Sequence, residues 1–182
     1  MVSNRTRALD AAVDLLGTEG VRSLTHSRVD DRAGLPKGST SNYFRTRHAL
    51  LEGVAERIAE LELPEAGATF EPPATVDAFV EGLSALLEHL STTNGTRTAA
   101  RFALFVEASH DAGMRVLLSR VRAQMEASAV VALAALGARD PRTAAAAVAA
   151  CFEGLLLHRI ARRDMADPRP VLGLVIRAAV KA

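Results

Sequence analysis

Residues 34–44 read GLPKGSTSNYF. Two glycines, a proline and three consecutive hydroxyl residues suit a surface loop. The segments on either side carry helical periodicity, however, which opens a second reading: a turn followed by a short polar helix. Gly34 suits the tight turn, Leu35 can return to a small core, and Pro36 stops helical continuation. Lys37, Gly38, Ser39, Thr40, Ser41, Asn42 and Tyr43 then supply about two turns of polar surface, and Phe44 anchors the far end. A helix kept polar over that length faces something other than its own protein's core.

Upstream, Leu9, Ala12, Val13 and Leu16 recur at helical spacing. They predict a helix from Ser3 to Thr18, capped by Ser3 or Asn4 and stopped by Gly17 and Gly20. Thr25 is a good N-cap for the short segment that ends at Gly34, with Leu24, Val29, Ala33 and Leu35 as its packing face. Downstream, Thr46 caps a helix striped by Leu50, Leu51, Val54, Ile58 and Leu61. Residues 62–74, ELPEAGATFEPPA, hold three prolines and a glycine and mark a boundary. Helices are then expected over residues 75–90, 97–110, 112–136, 141–163 and 168–180. Asp140-Pro141 and Asp167-Pro168 open the last two. No segment alternates as a strand does. The chain reads as all-α with about nine helices: a three-helix domain over residues 1–48, a linker helix over 46–61 and a larger domain over 62–182.

The chain has 182 residues, 49% apolar and 24% charged, which supports a packed core and argues against wholesale disorder. Aromatics make up only 4%, so that core must come from Leu, Val and Ala. Cys151 is the only cysteine, which fits a reducing compartment and offers no metal knuckle. The N-terminus turns polar at once, and the apolar run at residues 127–138 is too short to span a bilayer. These features lead to the expectation of a soluble, cytoplasmic protein with no membrane contact. Charge is segregated: residues 1–50 carry eight Lys/Arg against five Asp/Glu, residues 51–96 one against nine, and residues 97–182 thirteen against seven. A basic N-terminal end weakly suggests a polyanionic partner there, while the basic C-terminal block shows that charge alone does not decide.

Three short helices followed by a boundary match the layout of a helix-turn-helix domain, whose second helix lies in the major groove. A helix that reads DNA must be polar, because base edges and phosphates demand donors and acceptors. Small residues at its start allow close approach to the sugar-phosphate wall, and N–H groups at a helix N-terminus suit phosphate. Residues 7–51 resemble the N-terminal domain of the TetR (tetracycline-repressor-type) family of transcriptional regulators. The matching features are an A…LL…G first helix, Gly-Val-x-x-Leu-Thr at Gly20 to Thr25, Arg-Ala-Gly at Arg32 to Gly34, Lys37-Gly38, Tyr43-Phe44, and Ala49-Leu50-Leu51.

The resemblance implies a homodimer of nine-helix subunits. Helices 1–3 would bind DNA, helix 4 would link them to a C-terminal domain that takes a small-molecule inducer, and the last two helices would pair with their mates. Four positions depart from the family pattern. Thr40 replaces an apolar residue, Ser41 a phosphate-reaching Tyr, Asp30 an Ala, and Arg47 a Lys of the same charge. Thr25, Ser27 and Arg28 are expected to reach phosphates from the positioning helix. Lys37, Ser39, Thr40 and Asn42 are the base-edge candidates, with small Gly38 beside them; Asn pairs with adenine and Lys reaches guanine. Tyr43, Arg45 and Arg47 are expected to hold the flanking backbone.

In the C-terminal two-thirds, Leu86, His89, Phe102, Phe105, Val106, Leu117, Val121, Gln124, Met125 and Phe152 are candidates to line a mostly apolar ligand pocket, and each equally fits a plain core. Ala147, Cys151, Leu155, Leu156, Ile160, Leu172, Val175 and Ile176 suit either a symmetric dimer interface or packing within one subunit. Glu107 and His110 resemble half of a di-iron motif without a second copy. His26, His48, His89 and His158 show no metal-ligand spacing, so no metal is expected. No nucleophile–base pair or phosphate loop stands out, and GLPKGST lacks the Walker spacing. The expectation is a non-enzymatic, cofactor-free repressor that an inducer releases from a palindromic operator. The alternatives are a DNA-binding regulator that senses nothing and a helical-bundle enzyme or ligand carrier.

Overall fold

A computed structural model describes residues 2–67 and 71–181, with side chains for all of these except 64–67, 110, 121 and 181. Among the described residues there are nine α-helices and no strand. In chain order they are α1 (Asn4–Glu19), α2 (His26–Ala33), α3 (Ser39–Tyr43), α4 (Arg47–Gly67), α5 (Val76–Ser91), α6 (Gly95–Glu107), α7 (Ala112–Ala135), α8 (Pro141–Arg162) and α9 (Arg169–Lys181). Short 3₁₀ turns at Val21–Ser23 and Ala108–His110 precede α2 and α7. The caps follow from side-chain chemistry. The hydroxyls of Ser3, Thr25 and Thr75 accept from N–H groups three residues on, as does the carboxylate of Asp140. Thr46 does the same for Ala49 at the start of α4.

The chain divides into two compact units, residues 1–65 with 96–121 and residues 66–95 with 122–182. The first is built on one apolar cluster. Leu9, Ala12 and Leu16 of α1, Leu24, Val29 of α2, Leu35, Phe44, and Leu50, Leu51, Val54 and Ile58 of α4 are all buried in it. Ala100, Leu104, Ala108, Met114 and Leu118 complete the same cluster. The boundary expected at residue 62 therefore falls inside α4, and α6 with the start of α7 belongs with the N-terminal core. The Ala100–Leu104–Ala108 stripe supplies the physical reason, since it buries its i, i+4, i+8 face there.

Gly17 is the other departure from expectation. It does not stop α1, which runs on to Glu19. A Cβ at Gly17 would lie 2.0 Å from the backbone oxygen of Thr96, so the residue lets α1 and the start of α6 approach closely. Nearby, Glu62 of α4 lies buried beside Arg97 and Arg101 of α6, at 3.8 and 3.5 Å.

The second unit packs α5, α8 and α9 on one another. Phe79, Val80, Leu87 and Leu90 of α5 are buried, as are Ala144, Ala145, Val148, Phe152 and Leu156 of α8 and Leu172 and Ile176 of α9. Ion pairs tie the surface together: Arg159 to Glu88, Arg177 to Asp77 at 2.5 Å, and Arg122 to Glu153 at 3.0 Å. Among the described residues α8 is the one helix long and apolar enough to cross a membrane, with mean hydropathy 1.5 over its 18-residue window. Part of that apolar character is spent in the unit's core, and part faces outward.

Candidate nucleic-acid interface

The polar stretch resolves into turn and helix, with the turn longer than expected. Gly34, in the left-handed region at φ 61°, ends α2, and its N–H bonds back to Asp30 and Asp31. Gly38 stands at φ 87° and leads into α3, a conformation that glycine adopts without strain. Lys37 and Gly38 therefore belong to the turn, and α3 starts at Ser39 rather than Lys37.

The two helices behind α3 are held by side chains. Arg7 of α1 donates to the carbonyls of Ala33 and Gly34 at 2.7 and 3.3 Å, clasping the end of α2. Arg32 pairs with Asp14 and with Glu19, the latter at 2.6 Å, and Arg28 also pairs with Glu19. The Arg28 hydrogen bond holds the Glu19 pKa below its ordinary value. Arg28, expected at a phosphate, would have to leave Glu19 to reach one. Arg47 donates to the carbonyl of Val21 at 2.8 Å and steadies the joint before α2.

The candidate DNA-facing residues are sorted by burial. Lys37, Asn42, Tyr43 and Arg45 are exposed, and their side chains make no hydrogen bond or ion pair among the described residues. Ser27 and Thr25 are exposed on α2 and its cap. The Ser39 hydroxyl donates to the carbonyl of Pro36 at 2.6 Å, and that of Ser41 to the carbonyl of Gly38 at 2.9 Å.

Thr40 is a correction: it is 0% exposed and cannot read a base. Its hydroxyl donates to Oδ1 of buried Asp30 at 2.5 Å. The same carboxylate accepts from the N–H of Thr40 at 2.8 Å and from the N–H of Gly38 at 2.7 Å. Burial pushes the Asp30 pKa up, but these three bonds and the nearby His26 outweigh it and leave the pKa below the ordinary aspartate value. The N–H of Ser39 goes to the carbonyl of Pro36 at 3.1 Å. The N–H groups of Gly38, Ser39 and Thr40 at the start of α3 are thus satisfied from inside the protein. At the other end of α3, His26 Nε2–H donates to the carbonyl of Phe44 at 2.7 Å.

Asp30 and His26 were not among the sequence candidates. The available signal was the pair of departures from the family pattern at residues 30 and 40, which the fold joins into one interaction. His48 was likewise passed over: its two ring nitrogens face Glu52 at 3.4 Å and Asp111 at 3.3 Å. The three could offer ligand atoms to one ion, and each ring nitrogen is already matched to a carboxylate.

Comparison with known proteins decides the family. Residues 8–54 match the model for bacterial regulatory proteins of the tetR family, and residues 74–182 match the tetracyclin repressor-like C-terminal domain. The chain belongs to the tetR family. It is a DNA-binding transcriptional regulator, and its all-helical fold is the family's own. Among solved structures it resembles a transcriptional regulator from Rhodococcus sp. Rha1, with TM-score 0.80, 18% identity and 98% and 97% of the two chains covered. It also resembles a protein from Saccharomonospora viridis in complex with choline, with TM-score 0.77, 13% identity and coverage of 97% and 95%. A third likeness is to the multidrug binding protein EbrR complexed with ethidium, with TM-score 0.70, 23% identity and coverage of 98% and 99%. A search of curated proteins finds no match.

In this tetR-family regulator the expected pocket residues are divided between the two units. Phe102, Phe105 and Leu117 lie half-buried in the first, and Val106, at 72% exposure, stands on its surface. Leu86 and Met125 are half-buried in the second, Phe152 is in its core, and His89 and Gln124 are exposed. His89 is within 3.0 Å of the Asn94 amide. The side chains of Val121 and His110 lie outside the described residues.

The expected interface residues also divide. Leu156, Leu172 and Ile176 are fully buried inside the second unit and are not available to a partner, because α5, α8 and α9 close over them. Ala147 is exposed, and Cys151, Leu155, Ile160 and Val175 are half-buried. Leu157, Val171 and Leu174 also face outward, at 43%, 44% and 72% exposure. An open apolar groove of about 520 Å³ runs between the start of α8 and the end of α9, lined in part by Ala147, Leu174, Val175 and Ala178. Burial pushes the Cys151 thiol up, away from the activated thiolate that a redox sensor needs.

Proposed function

We propose that this regulator is a homodimeric repressor that binds a palindromic operator through α3 and is released by a small-molecule inducer, acting in the cytoplasm where the DNA lies. The observation that carries the reading is the exposed, unpartnered set Lys37, Asn42, Tyr43 and Arg45 on and beside a helix braced from behind. Lys37 and Asn42 would meet base edges, and Tyr43 and Arg45 the flanking phosphates. Ser39 offers a further polar group, and Ser27 and Arg28 of α2 would contact the backbone of the same half-site.

Pairing is supported by the outward apolar face of α8 and α9, where Leu157, Val171 and Leu174 would otherwise stay in water. Two reading heads related by a two-fold axis would then sit about 34–36 Å apart on DNA. Ligand response is supported by the structural neighbours bound to choline and to ethidium. An inducer acts only through unequal affinity for two states of the dimer, one matched to the half-site spacing and one not.

The test is a gel-shift titration of the full chain on the DNA flanking its own gene, at two salt concentrations, repeated with a panel of small organic molecules. A sequence-specific complex that weakens with salt and dissolves with one compound class is expected. Absence of any specific complex would sink the repressor reading. A specific complex that no compound alters would leave a regulator without the sensing function proposed.

A further inference from the structure

Helix α3 has five residues, too few to hold itself in water. Its N-cap position is Gly38, which has no side chain to offer, and it makes no cap bond of its own. Among the described residues α3 is therefore the shortest α-helix and the one least able to stand alone. What holds it comes from one face of α2. Asp30 takes the N–H of Gly38, the N–H of Thr40 and the Thr40 hydroxyl at the leading end. His26, one helical turn earlier on the same face, donates to the carbonyl of Phe44 at the trailing end.

We propose that His26 and Asp30 are positioning residues for DNA recognition, a two-point clamp that sets the pitch of α3 and hence the register in which Lys37 and Asn42 meet base edges. The inference rests on the reading of α3 as the groove helix. The chemistry of the clamp accounts for the two odd residues of the motif. A buried carboxylate is costly unless its acceptor sites are filled, and a buried hydroxyl is costly unless it is bonded. Asp30 and Thr40 satisfy each other, so either alone would be a defect, while an apolar pair at the same two sites would be a different but self-consistent packing. That alternative packing carries no bond from α2 to the front of α3, so the helix is free to settle at another height. Specificity would then be written partly in residues behind the reading surface.

The experiment selects preferred sites from a random double-stranded library with the full chain, in parallel with thermal melting. Four variants are compared with wild type: Asp30→Ala, Asp30→Ala with Thr40→Val, His26→Ala and His26→Gln. Asp30→Ala is expected to lower Tm because three donors, two of them buried, lose their acceptor. Adding Thr40→Val should recover part of that Tm by removing the stranded hydroxyl. On the wild-type motif the double variant should still bind about tenfold or more weakly, and it should enrich a motif changed at the bases facing α3. His26→Ala should melt close to wild type and lose affinity for the motif but not for random DNA, and His26→Gln, which keeps a donor, should recover it. A double variant or His26→Ala protein that melts as a folded chain and keeps both the wild-type motif and its affinity overturns the clamp as a recognition device. If wild type itself enriches no motif, the groove reading of α3 fails, and the inference falls with it for that separate reason.

Discussion

The carboxylate of Asp30 and the amide of Asn42 illustrate two ways a side chain can serve one reading helix. Asn42 is exposed and unpartnered, so its amide is available for a bidentate pair with adenine. Asn42→Ala is expected to cost about 1–3 kcal/mol on the preferred site and little on unrelated DNA, as measured by competition binding. Arg45→Ala should weaken both complexes alike and lower the salt slope by about one. Asp30 works from behind and has a signature in pH. Its folded pKa lies below the ordinary value, so the ionised form stabilises the native state. That contribution is complete above the unfolded aspartate range near ~4 and is lost as pH falls through the lower folded value. Urea unfolding across acid pH should show wild type losing stability in that window, while Asp30→Asn, with no proton to take up, follows a flatter curve from a lower start.

The helices were legible to different degrees, and packing explains the difference. The N-caps at Ser3, Thr25, Thr46 and Asp140 are local chemistry, and the fold uses each where the sequence places it, while Thr75 caps α5 instead of opening it as a helical residue. Thr75→Ala should cost α5 about 1 kcal/mol in thermal or urea unfolding. The sequence predicts a stop at Gly17 because glycine is a poor helix former. It is helical because the backbone of Thr96 lies where a side chain would otherwise be. Gly17→Ala therefore gains helix propensity and loses the close approach. The clash with backbone should dominate, at about 1–3 kcal/mol of destabilisation, and a Tm at or above wild type would show that α1 and α6 separate without cost. The later start of α3 has a related reason. Lys37 is compatible with a helix, and the turn is extended by the left-handed Gly38 and by the pull of the Asp30 carboxylate on its N–H.

Within the second unit, burial divides α8 and α9 into inner and outer faces. Leu156, Leu172 and Ile176 fill the second unit's core, and Leu157, Val171 and Leu174 are left outside. An apolar face of that kind on a DNA-binding regulator is expected to be covered by a second copy. Leu174→Glu should shift the chain from dimer to monomer in sedimentation equilibrium with little change in Tm at low concentration. The monomer should bind a single half-site more weakly than the dimer binds a palindrome, because the second reading head is lost. A variant that sediments as wild type would move the interface away from this face.

Local pattern was enough for much of this protein. Helical periodicity, hydroxyl caps and the ordered run from Arg7 to Leu51 determined the all-helical class, the helix-turn-helix and the family, because those depend on residues near one another in the chain. Only the tertiary structure decided which apolar residues face inward, that Thr96–Val121 joins the N-terminal core, and that Thr40 is a buried partner of Asp30 rather than a reader of bases. Those outcomes turn on which surfaces meet. An exposed and a buried threonine look alike in a one-dimensional string, and they part company only when a carboxylate ten residues away in the chain arrives within hydrogen-bonding distance.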